Sequence, residues 1–136
     1  MDYVASDGSP NYVAKEYKKL LSVREQVATD ALLEILSKKQ EWKGSNKEFE
    51  ILSGKNYQGI GEVKLPGDQK IPIRLFGFFD EEKKHFVILI VCRHKDNRYN
   101  PANCMDTAVN RRKALANGIG TTTEHFNDND EEAGEE

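Results

Sequence analysis

Two apolar runs dominate the hydrophobic pattern of the chain, and a five-residue charged connector separates them. The first run is IPIRLFGFF (71–79), the connector is DEEKK, and the second run is HFVILIVC (85–92). Runs of β-branched and aromatic residues on either side of a polar turn are typical of a β-hairpin. Because residues 86–92 are apolar at every position, we predict that they form a central strand covered on both faces.

Strand-like patterns also precede this hairpin. Polar and apolar residues alternate in EVKL (62–65), and PGDQK (66–70) has the composition of a turn. Short turns join neighbouring antiparallel strands. We therefore predict a meander of at least three strands, in which the middle strand (71–79) pairs with both others. A further extended segment is expected at 49–52.

Helical spacing marks the N-terminal part of the chain. Ser9-Pro10 suits the start of a helix over 10–20, with Ser as N-cap and Pro at the first helical position. Ser22 and Glu25 have the spacing of a capping box, which opens a second helix over 23–40. That helix carries an apolar stripe with further apolar residues beside it: Val27, Ala31 and Ile35, then Ala28, Leu32 and Leu36.

A third helix is expected near the C-terminus, over 102–116, with Gly118 as its C-cap. The order of elements is then two helices, three strands and one helix. This order predicts an α+β fold: a small antiparallel β-sheet of three to four strands with an N-terminal helical hairpin and a C-terminal helix. No pattern before Tyr12 predicts a strand.

Charge is distributed unevenly along the 136 residues. Residues 124–136 carry seven of the 23 acidic side chains and no Lys or Arg, whereas residues 1–123 carry 20 basic and 16 acidic side chains. Such an acidic segment cannot bury enough apolar surface to fold alone. We therefore divide the chain into a mildly basic domain over 1–123 and an acidic tail over 124–136 that is expected to be disordered.

Several classes of protein are disfavoured by the sequence. No apolar run approaches the roughly 20 residues that cross a membrane, and the N-terminus has no secretory signal, so a cytoplasmic location is expected. Cys92 and Cys104 lack CxxC spacing, and we expect both to be reduced core thiols. The spacing of the three histidines to the cysteines does not suggest zinc, so neither a metal nor a cofactor is expected.

The strongest candidate for chemistry is a set of cations on the predicted meander. Lys64 lies on the first strand, Arg74 on the second, and three more cations lie at or past the end of the third: Arg93, Lys95 and Arg98. If they converge, they form a phosphate-sized anion site, beside which the ring of Tyr99 can stack on a nucleobase. The alternative is a solvated edge of the sheet, with Arg74 paired to Glu62 across the strands.

Four segments resemble the RelE/HigB-like toxins of the RelE/ParE superfamily, many of which are phage-derived. The segments are GIGEVK, IPIRLFGFF, HFVILIVCRHKDNRYNP and MDTAVNRRK. They follow the family's order of a glycine-led E-x-[RK] strand, an R-L-F/Y strand, an apolar strand ending in a KK-like pair, and an A-x-x-R helix. The resemblance covers about residues 49–116, and the preceding helical hairpin also resembles that of the family. The family's usual N-terminal strand has no evident counterpart.

The resemblance implies a function. Members are toxins of type II toxin–antitoxin systems and are usually ribosome-dependent messenger-RNA endoribonucleases. The implied partners are messenger RNA, the ribosome and a cognate antitoxin protein, with no membrane. The implied reaction is attack of the RNA's own 2′-OH on the phosphodiester, which leaves a 2′,3′-cyclic phosphate and requires no metal or cofactor.

The resemblance also assigns roles to residues. Arg74 matches the phosphate-binding arginine, Lys64 matches the basic residue of E-x-[RK], and His94 and Lys95 occupy the KK-like pair. Either of the latter two would protonate the leaving 5′-oxygen, and an imidazole titrates nearer to neutral pH than an ammonium group. Lys64 would assist as the base only if its neighbours lower the pKa of its ammonium group.

Two further expectations complete the picture. Together with Arg74, Arg93 or Arg98 would stabilise charge on the phosphoryl oxygens. The acidic tail is either a solubility tail that does not dock or a segment that sometimes occupies the Arg74/Lys95/Arg98 region and weakens RNA binding. The alternative function is a catalytically degenerate module of the same fold, which binds RNA or a protein partner without cleaving.

Overall fold

The computed structural model describes residues 2–4, 11–39, 48–52, 57, 59–82, 85–95 and 98–123. The elements, in chain order, are β1 (Asp2–Val4), α1 (Tyr12–Leu20), α2 (Val23–Lys39), β2 (Phe49–Ile51), β3 (Gly61–Leu65), β4 (Ile73–Asp80), β5 (His85–Lys95), β6 (Arg98–Asn100), α3 (Cys104–Ala116) and β7 (Thr121–Thr123). The expected α+β class is confirmed. The acidic tail over 124–136, and with it the expectation of disorder and of docking, lies outside the described residues.

The predicted meander forms the centre of the sheet. β4 pairs antiparallel with both β3 and β5, as the pattern of short turns and apolar runs predicts. Residues Phe86 to Cys92 of β5 are all buried, so this strand is the covered central strand that its uninterrupted apolar sequence indicates.

The sheet is larger than predicted. Its order is β2-β3-β4-β5-β1-β7, and β6 pairs with β5 as well, which makes seven strands within the described part of the chain rather than three to four. A strand does exist before Tyr12: β1 pairs parallel with β5 and antiparallel with β7. The prediction missed these strands because segments of three residues are too short to show an alternating pattern.

The helices α1 and α2 lie over one face of this sheet. α1 begins at Tyr12, where the side chain of Asn11 accepts a hydrogen bond from the Ala14 amide at 3.0 Å. The predicted cap at Ser9-Pro10 lies outside the described residues. Val13 and Tyr17 of α1 are buried in the core.

The capping box predicted for α2 is confirmed. The Ser22 amide donates to Glu25 Oε1 at 2.9 Å, and the Glu25 amide donates to Ser22 Oγ at 3.1 Å. The helix does not, however, bury the whole predicted stripe. Leu36 is 3% exposed, whereas Val27 and Ile35 are 55% and 48% exposed.

The helix α3 packs against the sheet through Cys104 and Ala108, both of which are buried. It ends as predicted at Gly118, whose φ of +76° lies in the left-handed region. The Ile119 amide donates to Ala114 O and the Gly118 amide to Leu115 O, which is a Schellman motif.

The expectation of two reduced cysteines is wrong in this structure, because Cys92 of β5 and Cys104 of α3 form a disulfide. Their Cα atoms lie 6.6 Å apart, within the span that a disulfide can bridge. The turn through β6 returns the chain to β5 and brings these two residues together, although their sequence spacing gave no sign of it.

An ion pair between α1 and α3 lies beside the part of β5 where neither β1 nor β6 pairs with it. Glu16 of α1 accepts a hydrogen bond from the Val91 amide at 3.2 Å, and Arg111 of α3 donates to Leu89 O at 2.7 Å. Arg111 and Glu16 also bind each other at 3.0 Å. These side chains satisfy backbone groups of β5 between the positions where β1 and β6 pair with it. No helix among the described residues is long and apolar enough to cross a membrane.

Candidate functional site

Strand register places five of the singled-out side chains on one face of the sheet, beside α3. Glu62 and Lys64 alternate with the buried Val63 on β3, Lys64 lies opposite Arg74, and Arg74 lies opposite Cys92. His94 follows Cys92 by two positions and lies opposite Tyr99 of β6. Because side chains two positions apart share a face, the members are Glu62, Lys64, Arg74, His94 and Tyr99. We refer to this group as the Arg74 face.

Arg74 is held in place by three acceptors. Its Nε lies 3.3 Å from Glu62 Oε2, and its Nη1 donates to Ile73 O at 2.9 Å and to Leu65 O at 3.4 Å. The side chain is 18% exposed. The alternative in which Arg74 pairs with Glu62 across the strands is therefore what the structure shows, while part of the Arg74 side chain remains accessible at the surface.

Tyr99 links Glu62 to His94. Its hydroxyl donates to Glu62 Oε2 at 3.2 Å, and its ring stacks on the imidazole of His94 at 4.7 Å between centroids, with an interplanar angle of 28°. Phe76 supports the ring from another side with an edge contact at 5.4 Å. Burial and the nearby Glu62 carboxylate raise the pKa of Tyr99 to about 12. The hydroxyl is therefore a hydrogen-bond donor at neutral pH.

Lys64 lies at the margin of this face. Its Nζ is 2.5 Å from Glu50 Oε1, and the two side chains are 28% and 47% exposed. Glu50 lies opposite Glu62 in the pairing of β2 with β3. The Arg74 face thus carries a carboxylate diagonally across the strands from each of these two cations, and only the pair of Arg74 with Glu62 was anticipated from the sequence.

Arg93 does not join the other cations. It belongs to the opposite face, where its Nη1 binds Glu25 Oε1 at 2.8 Å and donates to Leu20 O at 2.9 Å, and its Nη2 donates to Ile71 O at 2.6 Å. The side chains of Arg93 and Glu25 are 13% and 5% exposed. The prediction that the cations converge is wrong for Arg93, because its guanidinium binds α1 and α2 on the opposite face of the sheet.

Lys95 and Arg98 are also separated from the Arg74 face. They lie opposite each other across β5 and β6 and both are exposed. Since adjacent residues of a strand point to opposite faces, Lys95 lies on the face of Arg93, and Arg98 lies there too. The five predicted cations therefore form two groups on the two faces rather than one cluster.

Glu25 shows how the face of the sheet that carries Arg93 is stabilised electrostatically. Burial acts to raise the pKa of its carboxyl group, but the hydrogen bonds from Arg93, Ser22 and Asp68 outweigh burial and lower it. The Asp68 amide donates to Glu25 Oε2 at 2.8 Å. Gly67 is required beside this pair, because a Cβ at that position would collide with the Ile71 carbonyl and with the Arg93 guanidinium.

The Arg74 face combines three groups that acid–base catalysis at a phosphate ester can use. A carboxylate can accept a proton, a guanidinium can bind phosphate oxygens, and an imidazole can donate a proton. Glu62 is the member whose possible role as a base the sequence analysis missed. Its position two residues before Lys64, on the same strand face, was the available signal.

Other features of the structure lie apart from this face. A cavity of about 520 Å³ near the turn between β4 and β5 is lined by Phe78, Phe79, Arg112 and Leu115, among others, and by none of the predicted site residues. Within the described ranges, no group of three or more His, Cys, Asp or Glu side chains is placed to hold a metal ion. Comparisons of the chain with models of protein families, with curated proteins and with solved structures found no match.

Proposed function

We propose that the chain is a RelE/HigB-like toxin of a type II toxin–antitoxin system and acts in the cytoplasm as a messenger-RNA endoribonuclease. The observation that carries the proposal is the continuous set of contacts Arg74–Glu62–Tyr99–His94 on one face of the sheet. The β1 strand adds support, since the family's usual N-terminal strand now has a counterpart.

The geometry supports a division of roles on this face. Arg74 would bind the scissile phosphate, Glu62 would take the proton from the 2′-OH, and His94 would protonate the leaving 5′-oxygen. The bond from the 2′-oxygen to phosphorus forms as the bond to the 5′-oxygen breaks, which gives a 2′,3′-cyclic phosphate and a 5′-hydroxyl. The proton taken by Glu62 and the proton given by His94 balance the reaction.

The pairing of Arg74 with Glu62 has a direct consequence for substrate binding. A phosphate that approaches Arg74 competes with Glu62 Oε2 for the same guanidinium. When the phosphate displaces Glu62 from Arg74, the carboxylate no longer has a cation as its partner and can accept the proton of the 2′-OH. Tyr99, which donates to the same oxygen, would keep Glu62 oriented during this exchange. Lys64, which the resemblance offered as a base, is bound to Glu50, and Glu62 is the better base in this arrangement.

Induction of the wild-type chain beside Arg74→Ala in bacteria tests the proposal. We expect wild type to arrest growth and to produce messenger-RNA fragments with 5′-hydroxyl ends, and we expect Arg74→Ala to lose both effects while remaining folded. Glu62→Gln is the matched second variant, because it keeps the hydrogen-bonding shape and removes the base. Arrest and cleavage that survive both substitutions would contradict the proposal.

The second candidate function is a binding module of the same fold that does not cleave. The ion pairs Arg74–Glu62 and Lys64–Glu50 favour it, because carboxylates already neutralise the two cations of this face. Its signature is a wild-type chain that retains a short single-stranded RNA or a protein partner but yields no new RNA ends and leaves growth unchanged.

A further inference from the structure

The disulfide between Cys92 and Cys104 lies beside the Arg74 face. Cys92 is directly opposite Arg74 in the pairing of β4 with β5, and it precedes His94 by two positions, so that it lies on the same face of the sheet. Cys104 is the first residue of α3. Both cysteines are buried, each with 0% exposure. The disulfide therefore joins the central strand to the start of the helix beside this face.

The segment that the disulfide closes carries two members of the Arg74 face. Residues 92–104 include His94 of β5 and Tyr99 of β6. Tyr99 stacks on His94 and donates a hydrogen bond to Glu62. Among the described strands, β6 pairs only with β5, over three positions. The positions of His94 and Tyr99 thus depend on a short edge strand, and the disulfide anchors the chain just beyond it.

Other contacts hold β5 and α3 in place without the disulfide. β5 pairs with β4 along most of its length. Arg111 of α3 donates to Leu89 O of β5 and also binds Glu16 of α1. A disulfide limits the conformations of the segment that it closes, so its loss has the largest effect where few other contacts hold the chain. Opening this disulfide should therefore free the β6 segment and leave the sheet and the helix folded.

We propose that Cys92 and Cys104 form a redox switch that controls the Arg74 face. In the disulfide form β6 is anchored, and His94 stays stacked on Tyr99. In the dithiol form β6 separates from β5 more often, and both groups then leave their positions. The inference rests on the proposed function, both for the reaction that the switch controls and for the cytoplasm, where the disulfides that do form are usually catalytic or redox-sensing.

The switch operates by thiol–disulfide exchange with a dithiol reductant. A thiolate of the reductant attacks one sulfur, the bond between the two cysteines breaks, and the other cysteine leaves as a thiolate and takes up a proton. The second thiol of the reductant then releases the protein from the mixed disulfide. Two electrons and two protons pass to the protein, and the reductant becomes a disulfide. Because both cysteines are buried, the reductant reaches them when the β6 segment opens locally.

Hydrogen exchange of the two forms tests the structural part of the switch. Excess dithiothreitol should reduce the folded protein, which then takes up two alkyl groups from iodoacetamide under denaturing conditions, and oxidised glutathione should restore the disulfide. Amides of residues 98–103 should exchange about ten-fold faster in the dithiol form, whereas those of residues 73–80 should change by less than about two-fold. A disulfide that resists reduction in the folded protein, equal exchange in the two forms, or faster exchange throughout the chain would each overturn the proposal.

The double variant Cys92→Ala/Cys104→Ala is the matched control. It should exchange like the dithiol form in both redox buffers, because it cannot form the disulfide. In a ribosome-programmed messenger-RNA assay the disulfide form should cleave about ten-fold faster than the dithiol form, and the double variant should show the slower rate in both buffers. Equal cleavage by the two wild-type forms would overturn the proposal. If neither form cleaves while their exchange still differs, the proposed function is contradicted and the structural switch is supported.

Discussion

Arg74 and Arg93 lie on neighbouring strands and each binds a glutamate carboxylate, but the two pairs occupy opposite faces of the sheet. The Arg93–Glu25 pair is closed in by both N-terminal helices and binds backbone groups of Leu20 and of the turn over 68–71. The Arg74–Glu62 pair remains partly accessible and is extended by Tyr99 and His94. An arginine–glutamate pair thus stabilises the fold on one face of the sheet and forms part of a candidate reactive surface on the other face.

The largest expected contrast between the pairs is in stability. Arg93→Met leaves the Glu25 charge buried without its cation, which should lower the free energy of unfolding by about 3–5 kcal/mol. Arg74→Met should cost only about 1–2 kcal/mol, because Glu62 keeps Tyr99 as a donor. Urea denaturation of both variants measures the difference. Arg93→Met/Glu25→Gln is the control and should recover part of the loss, since no charge is then stranded.

The dependence of stability on acid pH should reveal the contribution of the Arg93–Glu25 pair. The pKa of Glu25 is lowered from its ordinary 4.5, so its contribution to stability is present above that pH and is lost as pH falls through the lower folded-state value. Wild type should therefore lose more stability than Glu25→Gln between about pH 5 and pH 3. Parallel stability curves for the two proteins would contradict the role given to this pair.

A feature of this contrast can be predicted from the sequence only when residues close together in the chain determine it. The capping box at Ser22, the Gly118 terminator and the central strands are encoded by neighbouring residues, and the structure confirms them. The division between the two faces is not encoded in this local way. The third strand was expected to end at Cys92, so residues 93–98 were treated as one cluster. Once β5 continues to Lys95, alternation sends His94 and its neighbours to opposite faces.

Long-range partners account for the other differences. The segment DYV becomes a strand because it pairs with β5, and TTT becomes one because it pairs with DYV. Cys92 meets Cys104 through the turn that contains β6. None of these relations has a signature within a short window of sequence.

The Arg74–Glu62 pair can be examined through Tyr99, which donates a hydrogen bond to Glu62. Its pKa is raised from 10 to about 12 by burial and by Glu62, so the stability that its hydroxyl contributes is fully present below pH 10 and is lost as pH rises through about 12. Tyr99→Phe should cost about 1 kcal/mol at neutral pH and should remove one phenolate transition near pH 12 from an ultraviolet titration. Wild type in which all five tyrosines ionise near pH 10 would contradict the contact with Glu62.

The smallest expected effect lies at the margin of the Arg74 face. Glu50→Gln removes the carboxylate beside Lys64, so affinity for a short single-stranded RNA at low salt should rise by about two- to five-fold, which is below 1 kcal/mol. Stability should change little, because the pair is largely exposed. Fluorescence anisotropy with labelled RNA measures the change, and Glu81→Gln, in the turn after β4, is a matched control that should have no effect.

The central claim is that RNA is cleaved on the Arg74 face, and substitution of two adjacent residues of β5 tests it most directly. His94→Gln and Lys95→Gln alter side chains that point to opposite faces, so their cleavage rates in a ribosome-programmed messenger-RNA assay can be compared at equal concentrations of folded protein. We predict that His94→Gln slows cleavage by about 10²–10⁴-fold, as expected for the loss of a general acid, and that Lys95→Gln stays within about three-fold of wild type. A large loss in Lys95→Gln with near-normal cleavage by His94→Gln would contradict the account.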